Sequence, residues 1–419
     1  MKDPSKLRPE DLCAPTDQQI TRIVESWLMP LPFIKLEEEP KLRPPPEEWR
    51  KEMLNLALDG YANFPIPRPK SKEEEQEIVR KFIDGIKKLF TVEDNWTQIK
   101  PLLTIIDFCA RCQTCAEVCQ IFLAGGKKHE YYRPTFKTEI LRMLYDKYVR
   151  GKKDVPIEVN VHLIARLYEL SYRCTVCRRC FQFCPLGLDQ GVVTRELRKV
   201  FSQQFSWAPK ELHELGTIQQ LRIGSSTGTS PKAMLSMVKF MEEEIYEKTG
   251  KRIKIPVDEK GADILIIHNY GEFLSWIENP EAFAIIFEEA GLSWTLASIP
   301  PGYDAVNYGL YYDDIQLDFC CGAGGAFAIM YGYNFPDWKY KVAGRMKVKQ
   351  TLEAFADCID PKTPKYLCAP CSNCKGMIRD TFAYYKLWER FRILYGGLVE
   401  LIVNAMVDLP KPFIEWTWR

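Results

Sequence analysis

Eight cysteines fall in two matched runs, CARCQTCAEVC from Cys109 to Cys119 and CTVCRRCFQFC from Cys174 to Cys184. Each has the spacing C-x2-C-x2-C-x3-C. Thiolates are soft ligands, so the first chemistry to test is metal binding. Zinc usually takes two separated C-x2-C pairs or adds histidines, because four ligands must reach one ion tetrahedrally. Here three cysteines at C-x2-C-x2-C can curl round one face of a cubane cluster, and the fourth ordinarily ligates the other cluster of a pair. The expectation is crossed ligation: Cys109, Cys112, Cys115 and Cys184 on one 4Fe-4S cluster, and Cys174, Cys177, Cys180 and Cys119 on the other. Pro185 follows the second run, while Gln120 takes that place after the first. No C-x-x-C-H occurs, which excludes covalent c-type haem.

Arg111, Arg173, Arg178 and Arg179 lie among these cysteines. They read either as a solvated basic patch or as charges that stabilise reduced clusters and raise their potentials. His268, at the end of an apolar stretch, reads as a structural hydrogen-bonding residue. A third constellation follows in DFCCGAGGAF, with Cys320 and Cys321, and in LCAPCSNCKG, with Cys368, Cys371 and Cys374. Adjacent cysteines can bridge neighbouring irons, and Gly322, Gly324 and Gly325 let backbone N–H groups approach sulfur. The other reading is a pair of small buried residues on a glycine turn. Cys13 and Cys358 are isolated and receive no role.

The CCG pair with a downstream C-x-x-C, behind two cluster-type runs, resembles the cysteine-rich domain of heterodisulfide reductase subunits. The resemblance covers about residues 99 to 408. It is closest to the D-type subunit, in which ferredoxin and CCG parts are fused, and to its relatives in respiratory membrane complexes of sulfate reducers. It implies a noncubane 4Fe-4S cluster at Cys320, Cys321, Cys371 and Cys374, with Cys368 in place of an upstream cysteine that this chain lacks. It also implies a multi-subunit complex on the cytoplasmic face of a membrane. There electrons would pass between a quinone- or cytochrome-linked membrane subunit and a cytoplasmic sulfur carrier or thiol partner. Iron-sulfur subunits of glycerol-3-phosphate, lactate or glycolate dehydrogenases join similar parts and form the alternative. A zinc-stapled scaffold is the second.

The elements that must position these cysteines are visible in the apolar periodicity. Between the runs, TFKTEILRMLYDKYV and IEVNVHLIARLYELSYR repeat apolar residues at three and four, so both loops sit on a helical scaffold over residues 99–205. Residues 1–98 hold 12 of the 28 prolines and one charged helix candidate, SKEEEQEIVRKFIDGIKKLF. This reads as an extension wrapping a partner or its own body, or as a solvated arm. Residues 206–258 form a helical connector closing on Gly250. From 259 to 419, ADILIIH, NPEAFAIIFEEAG and LSWTLAS read as strand, helix, strand, and GGLVELIVNAMVDL as an amphipathic helix packing on the sheet. The expected fold is α+β and multidomain: an α-helical two-cluster ferredoxin domain followed by an α/β CCG domain.

Composition bounds the setting. The 419 residues carry 57 basic against 56 acidic side chains, so no whole-chain field points to nucleic acid. The charge-free run from Phe319 to Pro336 is broken by glycines and falls short of a span of roughly 20 residues, so no transmembrane segment is expected. The start, MKDPSKLRPEDLCAPTD, lacks a signal-like apolar region. The expectation is a cytoplasmic chain, peripheral to the membrane. Fifteen cysteines in a reducing compartment then favour metal over disulfides.

Overall fold

The computed structural model describes residues 2–15, 20–42, 51–54, 66–209, 218, 219, 222, 229–268, 270–298, 321–324, 335–369, 372–406 and 413. The chain divides into two compact units, Met1–Glu211 with Gly309–Lys349 and Leu212–Tyr308 with Gln350–Arg419.

The first unit is helical. Helix α1 (Lys72–Lys88) is the charged segment. Ser71 caps it by accepting from the Glu74 amide, Glu73, Glu74 and Glu75 occupy its first turn, and Lys87 and Lys88 close it, as the helix dipole favours. Helix α2 (Val92–Phe108) is capped by Thr91 and stops at Cys109. Helix α3 (Pro134–Tyr148) and helix α4 (Val161–Tyr172) come from the two periodic segments between the cysteine runs. α4 ends directly before Arg173 and Cys174. Helix α5 (Gln190–Phe205) follows the second run, capped by Asp189.

Their apolar stripes meet in one core. Leu163 and Leu167 of α4, Val193, Leu197 and Phe201 of α5, Ile140 and Leu144 of α3, and Phe82 and Ile86 of α1 are all fully buried. Fully burying such side chains stabilises by about 1.5–3 kcal/mol each. At Gly85 a Cβ would lie 2.7 Å from a Val200 methyl carbon, so glycine permits the close α1–α5 crossing. Both cysteine runs therefore start where a packed helix stops.

The described part of the N-terminal extension wraps its own body. Arg166 of α4, 1% exposed, donates to the carbonyls of Leu12, Ala14 and Pro15. The Thr21 hydroxyl donates to Glu169 at 3.1 Å, and Arg173 donates to the Thr21 carbonyl at 3.0 Å. The Met29 amide reaches the Ala124 carbonyl at 2.8 Å. Residues 335–349 return to the same unit, where Arg345 and Glu39 form a fully buried pair at 2.6 Å. Trp338, also buried, donates to the Tyr132 hydroxyl at 3.3 Å.

The second unit is mixed. Helix α6 (Pro231–Thr249) ends on Gly250 at φ +71°, the expected left-handed stop. Strands β1 (Ile264–Ile266) and β2 (Trp294–Leu296) pair in parallel, joined through helix α7 (Glu278–Glu289), which closes on Gly291 at φ +63°. A second parallel pair, β3 (Lys365–Cys368) and β4 (Ile393–Gly396), brackets helix α8 (Ser372–Tyr385). Helix α9 (Leu398–Asn404) buries Val403 and exposes Leu398 and Ile402. The strand-helix-strand reading thus holds locally, as two two-stranded sheets among the described residues. Among the described residues no helix is long and apolar enough to cross a membrane.

His129 is a measurable clasp between the extension and this body. The Val24 amide donates to its Nε2 at 2.9 Å, and its Nδ1 donates to the Gly125 carbonyl at 2.9 Å, which fixes the neutral ring. Burial pushes its pKa down to about 4, against a smaller upward pull from that carbonyl. The unfolded chain takes a proton near pH 6.5, so the clasp contributes fully above that pH and is lost as pH falls towards 4. The loss across that window is about 3 kcal/mol. In urea unfolding, His129→Gln should be less stable than wild type at pH 7. Its further loss between pH 7 and 4.5 should be smaller than wild type's by about 2–3 kcal/mol.

Candidate cluster-binding site

The two cysteine loops share an unusual backbone. Arg111 (φ 57°) and Gln113 (φ 64°) flank Cys112, and Val176 (φ 52°) and Arg178 (φ 57°) flank Cys177. In each run the left-handed residues stand immediately before and after the middle cysteine. Left-handed geometry costs a non-glycine residue roughly 1–2 kcal/mol, and β-branched Val176 is the strongest outlier of the four. Such turns gather backbone N–H groups into concavities that suit anions and iron-sulfur sites. The Val176 amide lies 3.4 Å from the Cys174 sulfur as a donor.

Cys119, from the first run, lines one cavity with Cys174, Cys177 and Cys180 of the second. Its walls also include Tyr131, Tyr132, Lys137, Arg173, Arg179 and Gly191. Gly191, in the first turn of α5, is required by close approach: a Cβ there would sit 2.9 Å from an Asp189 carboxylate oxygen and 3.3 Å from an Arg178 side-chain carbon. Asp189 in turn pairs with Arg178 at 2.8 Å, tying the loop to the helix.

The electrostatics couple cysteines of the two runs. Burial raises the Cys180 thiol well above the ordinary range, helped by the charges of Cys177, Asp189, Cys174 and Cys119. Burial likewise raises Cys119, with a contribution from Cys174. The Cys115 thiol is pushed up to about 12 by burial, then by the charges of Cys119, Cys109, Cys184 and Cys112. Thiols gathered this way resist ionising together unless a cation compensates them, which is what bound iron does. Among the described residues no trio of cysteine, histidine or carboxylate converges tightly enough for a single ion. Cysteine thiolates are the donors that a 4Fe-4S cluster takes.

The surroundings of the two sets differ. Cys112 is exposed, as are Phe108, Phe183 and Leu186 beside Cys109 and Cys184. The cavity of Cys119, Cys174, Cys177 and Cys180 is instead walled by buried side chains. Arg111 is solvated, whereas Arg173 and Arg179 are buried at 1% and 7% exposure. Arg173 is paired with Glu169 at 2.6 Å. Gln120, in the place where the first run lacks proline, is fully buried and donates to the Thr175 hydroxyl at 3.2 Å and the Ala343 carbonyl at 3.4 Å. It therefore ties the first run to the second and both to the returning 335–349 segment. Lys137, Tyr132 and Gln120 carry no local motif, and only the helix packing reveals their place.

Cys320 and Cys371 lie outside the described residues. Cys321 is buried beside Gly322 at φ +97°, a left-handed position that favours glycine, and it falls in the first unit. Cys368, at the end of β3, and Cys374, in α8, fall in the second. Behind them Lys375 and Glu400 form a fully buried pair at 2.7 Å, with Trp276 also donating to Glu400. Burial and the charge of Glu400 raise the Cys368 thiol, and Lys375 opposes them. His268 lies with its Nδ1 2.7 Å from Glu272, a structural contact as expected.

Comparison with known proteins gives the same chemistry. A family model described as a 4Fe-4S dicluster domain matches residues 105–188, which hold all eight cysteines of the two runs. The Hdr-like menaquinol oxidoreductase iron-sulfur subunit 2 of Archaeoglobus fulgidus is 26% identical over 261 residues, 59% of this chain and 44% of that protein. An Hdr-like menaquinol oxidoreductase iron-sulfur subunit of Archaeoglobus profundus is 26% identical over 215 residues, 47% of this chain and 34% of the relative. An uncharacterized iron-sulfur protein of Methanocaldococcus jannaschii is 28% identical over 98 residues, 23% of this chain and 17% of that protein. The chain thus spans less than half the length of these curated relatives. No solved structure matches the chain significantly. With its paired cysteine loops inside the stretch that matches a 4Fe-4S dicluster domain, the chain is similar to Hdr-like iron-sulfur subunits.

Proposed function

We propose that this chain is an electron-relay subunit of a membrane-associated respiratory complex. In this reading Cys109, Cys112, Cys115 and Cys184 hold one 4Fe-4S cluster, and Cys119, Cys174, Cys177 and Cys180 hold another. The observation that carries the reading is the cavity shared by Cys119 with three cysteines of the other run. Such clusters, when bound, take up and release single electrons. The chain's residues then do the rest. The left-handed turns present amides to sulfur, helix ends fix the loops, and buried Arg173 and Arg179 offset added negative charge. Tyr131 and Tyr132 exclude water from the inner site.

The relatives' names speak of a menaquinol oxidoreductase, which supports a partner subunit handling quinol in the membrane. A sulfur carrier or thiol compound is the proposed partner at the other end, and the CCG region with Cys320, Cys321, Cys368, Cys371 and Cys374 the proposed site of a third cluster. The chain would work on the cytoplasmic face, held by its partners.

Crossed ligation is tested by Cys184→Ser. The variant should lose about four irons from the set of Cys109, Cys112 and Cys115, leaving the neighbouring Cys174, Cys177 and Cys180 metallated. Retention of the first set's paramagnetic signal with loss of the second would refute the assignment. For the third cluster, anaerobically reconstituted wild type should hold about twelve irons, and the Cys320→Ser, Cys321→Ser double variant about eight. Equal iron in both would leave the chain a two-cluster relay.

A further inference from the structure

Resting on the reading that the inner cavity holds a 4Fe-4S cluster, we propose that Lys137 sets that cluster's potential and makes it the first of the two to be reduced. Lys137 lies in the first turns of α3, is 6% exposed, and lines the cavity shared by Cys119, Cys174, Cys177 and Cys180. The nearby arginines have partners: Arg173 pairs with Glu169, Arg178 with Asp189, Arg179 lies over the Phe183 ring, and Arg198 donates to the carbonyls of Ser171 and Cys174. Lys137 has no hydrogen-bond or ion-pair partner among the described residues.

An ammonium held near a helix N-terminus meets an unfavourable dipole, and the charge of Lys137 acts on the Cys119 thiol. A negative group in the cavity relieves that penalty. Four thiolates around an iron-sulfur core supply one, and reduction makes it more negative by one charge. The same geometry turns the first turn of α5, through Gln190, Gly191 and Thr194, towards the cavity. A cation and a helix N-terminus, the latter already capped by the Asp189 carboxylate, thus act on one site where little water screens them. The outer set has exposed Cys112, where solvent screens charge, and part-buried Arg142, which donates to the Cys109 carbonyl at 3.1 Å. Lys137 contributes charge without touching a substrate, so it is a tuning residue. In the fold its signal is invisible to sequence spacing, because α3 lies between the runs and carries no cysteine.

The test is a redox titration of the full chain followed by paramagnetic resonance, with iron content measured in every sample. The inner and outer signals are assigned with Cys184→Ser, which removes the outer set. In wild type the inner cluster should be reduced at the higher potential. Lys137→Met should lower its reduction equilibrium about tenfold, about 59 mV for one electron, with the outer midpoint unmoved and the iron unchanged. Lys137→Arg should restore most of the shift. An unchanged inner midpoint in iron-replete Lys137→Met overturns the proposal. So does a wild type whose outer cluster is reduced first, and that ordering decides even where a Lys137 variant fails to fill. Wild type without iron or cluster signals would instead sink the underlying cluster reading, a result that the iron assay separates from the failure of the tuning role.

Discussion

Gathering thiolates in a dry place is the constraint on which the first unit depends. Sulfurs from two runs separated by α3 and α4 line one cavity, and each added negative charge there repels the others where little water screens it. The Cys115, Cys119 and Cys180 thiols are raised first by burial and then by that repulsion. Metal relieves it, but only for a scaffold already holding the loops in place. Hence both runs start at the end of a packed helix, and Gly191 lets α5 press against the second loop.

Holding the loops takes more than the four core helices. The extension passes along α4, where Arg166 collects three of its carbonyls, and then to the short helix Gln120–Ala124, where Met29 is tied to Ala124, with Val24 held by His129. The 335–349 segment closes over the same region through Arg345–Glu39 and Trp338–Tyr132. Buried ion pairs such as Arg345–Glu39 contribute little net stability, because desolvation offsets their attraction, yet removing one partner strands the other at a cost of about 3–5 kcal/mol. They therefore act as register pins, fixing which segment lies where.

What could be read from the sequence follows the range of the physical signal. The cysteine runs are local, so ligand type and spacing were plain, and so were the helices closing on Gly250 and Gly291. The β1–α7–β2 unit was legible for the same reason: its apolar run lengths and glycine stop are short-range features. The fate of the extension was not, since Leu12, Thr21 and Val24 find partners more than a hundred residues away and proline content alone fits a free arm equally well. Nor did spacing single out Lys137 or Gln120, whose neighbours come from helix packing. The CCG region was legible only through resemblance, and Cys320 and Cys371 fall outside the described residues.

The matched loops sharpen what distinguishes the two sets. Both runs place left-handed residues on each side of the middle cysteine, both offer the same ligand type, and both end in a fourth cysteine beyond x3. Loop geometry and ligand identity therefore cannot separate two clusters held this way. Any difference in potential must come from what surrounds them: solvent at exposed Cys112 on one side, and buried Arg173, Arg179 and Lys137 with the start of α5 on the other. Under the proposed reading, a duplicated loop would give two similar centres, and the unequal packing around them would supply the asymmetry that a relay needs.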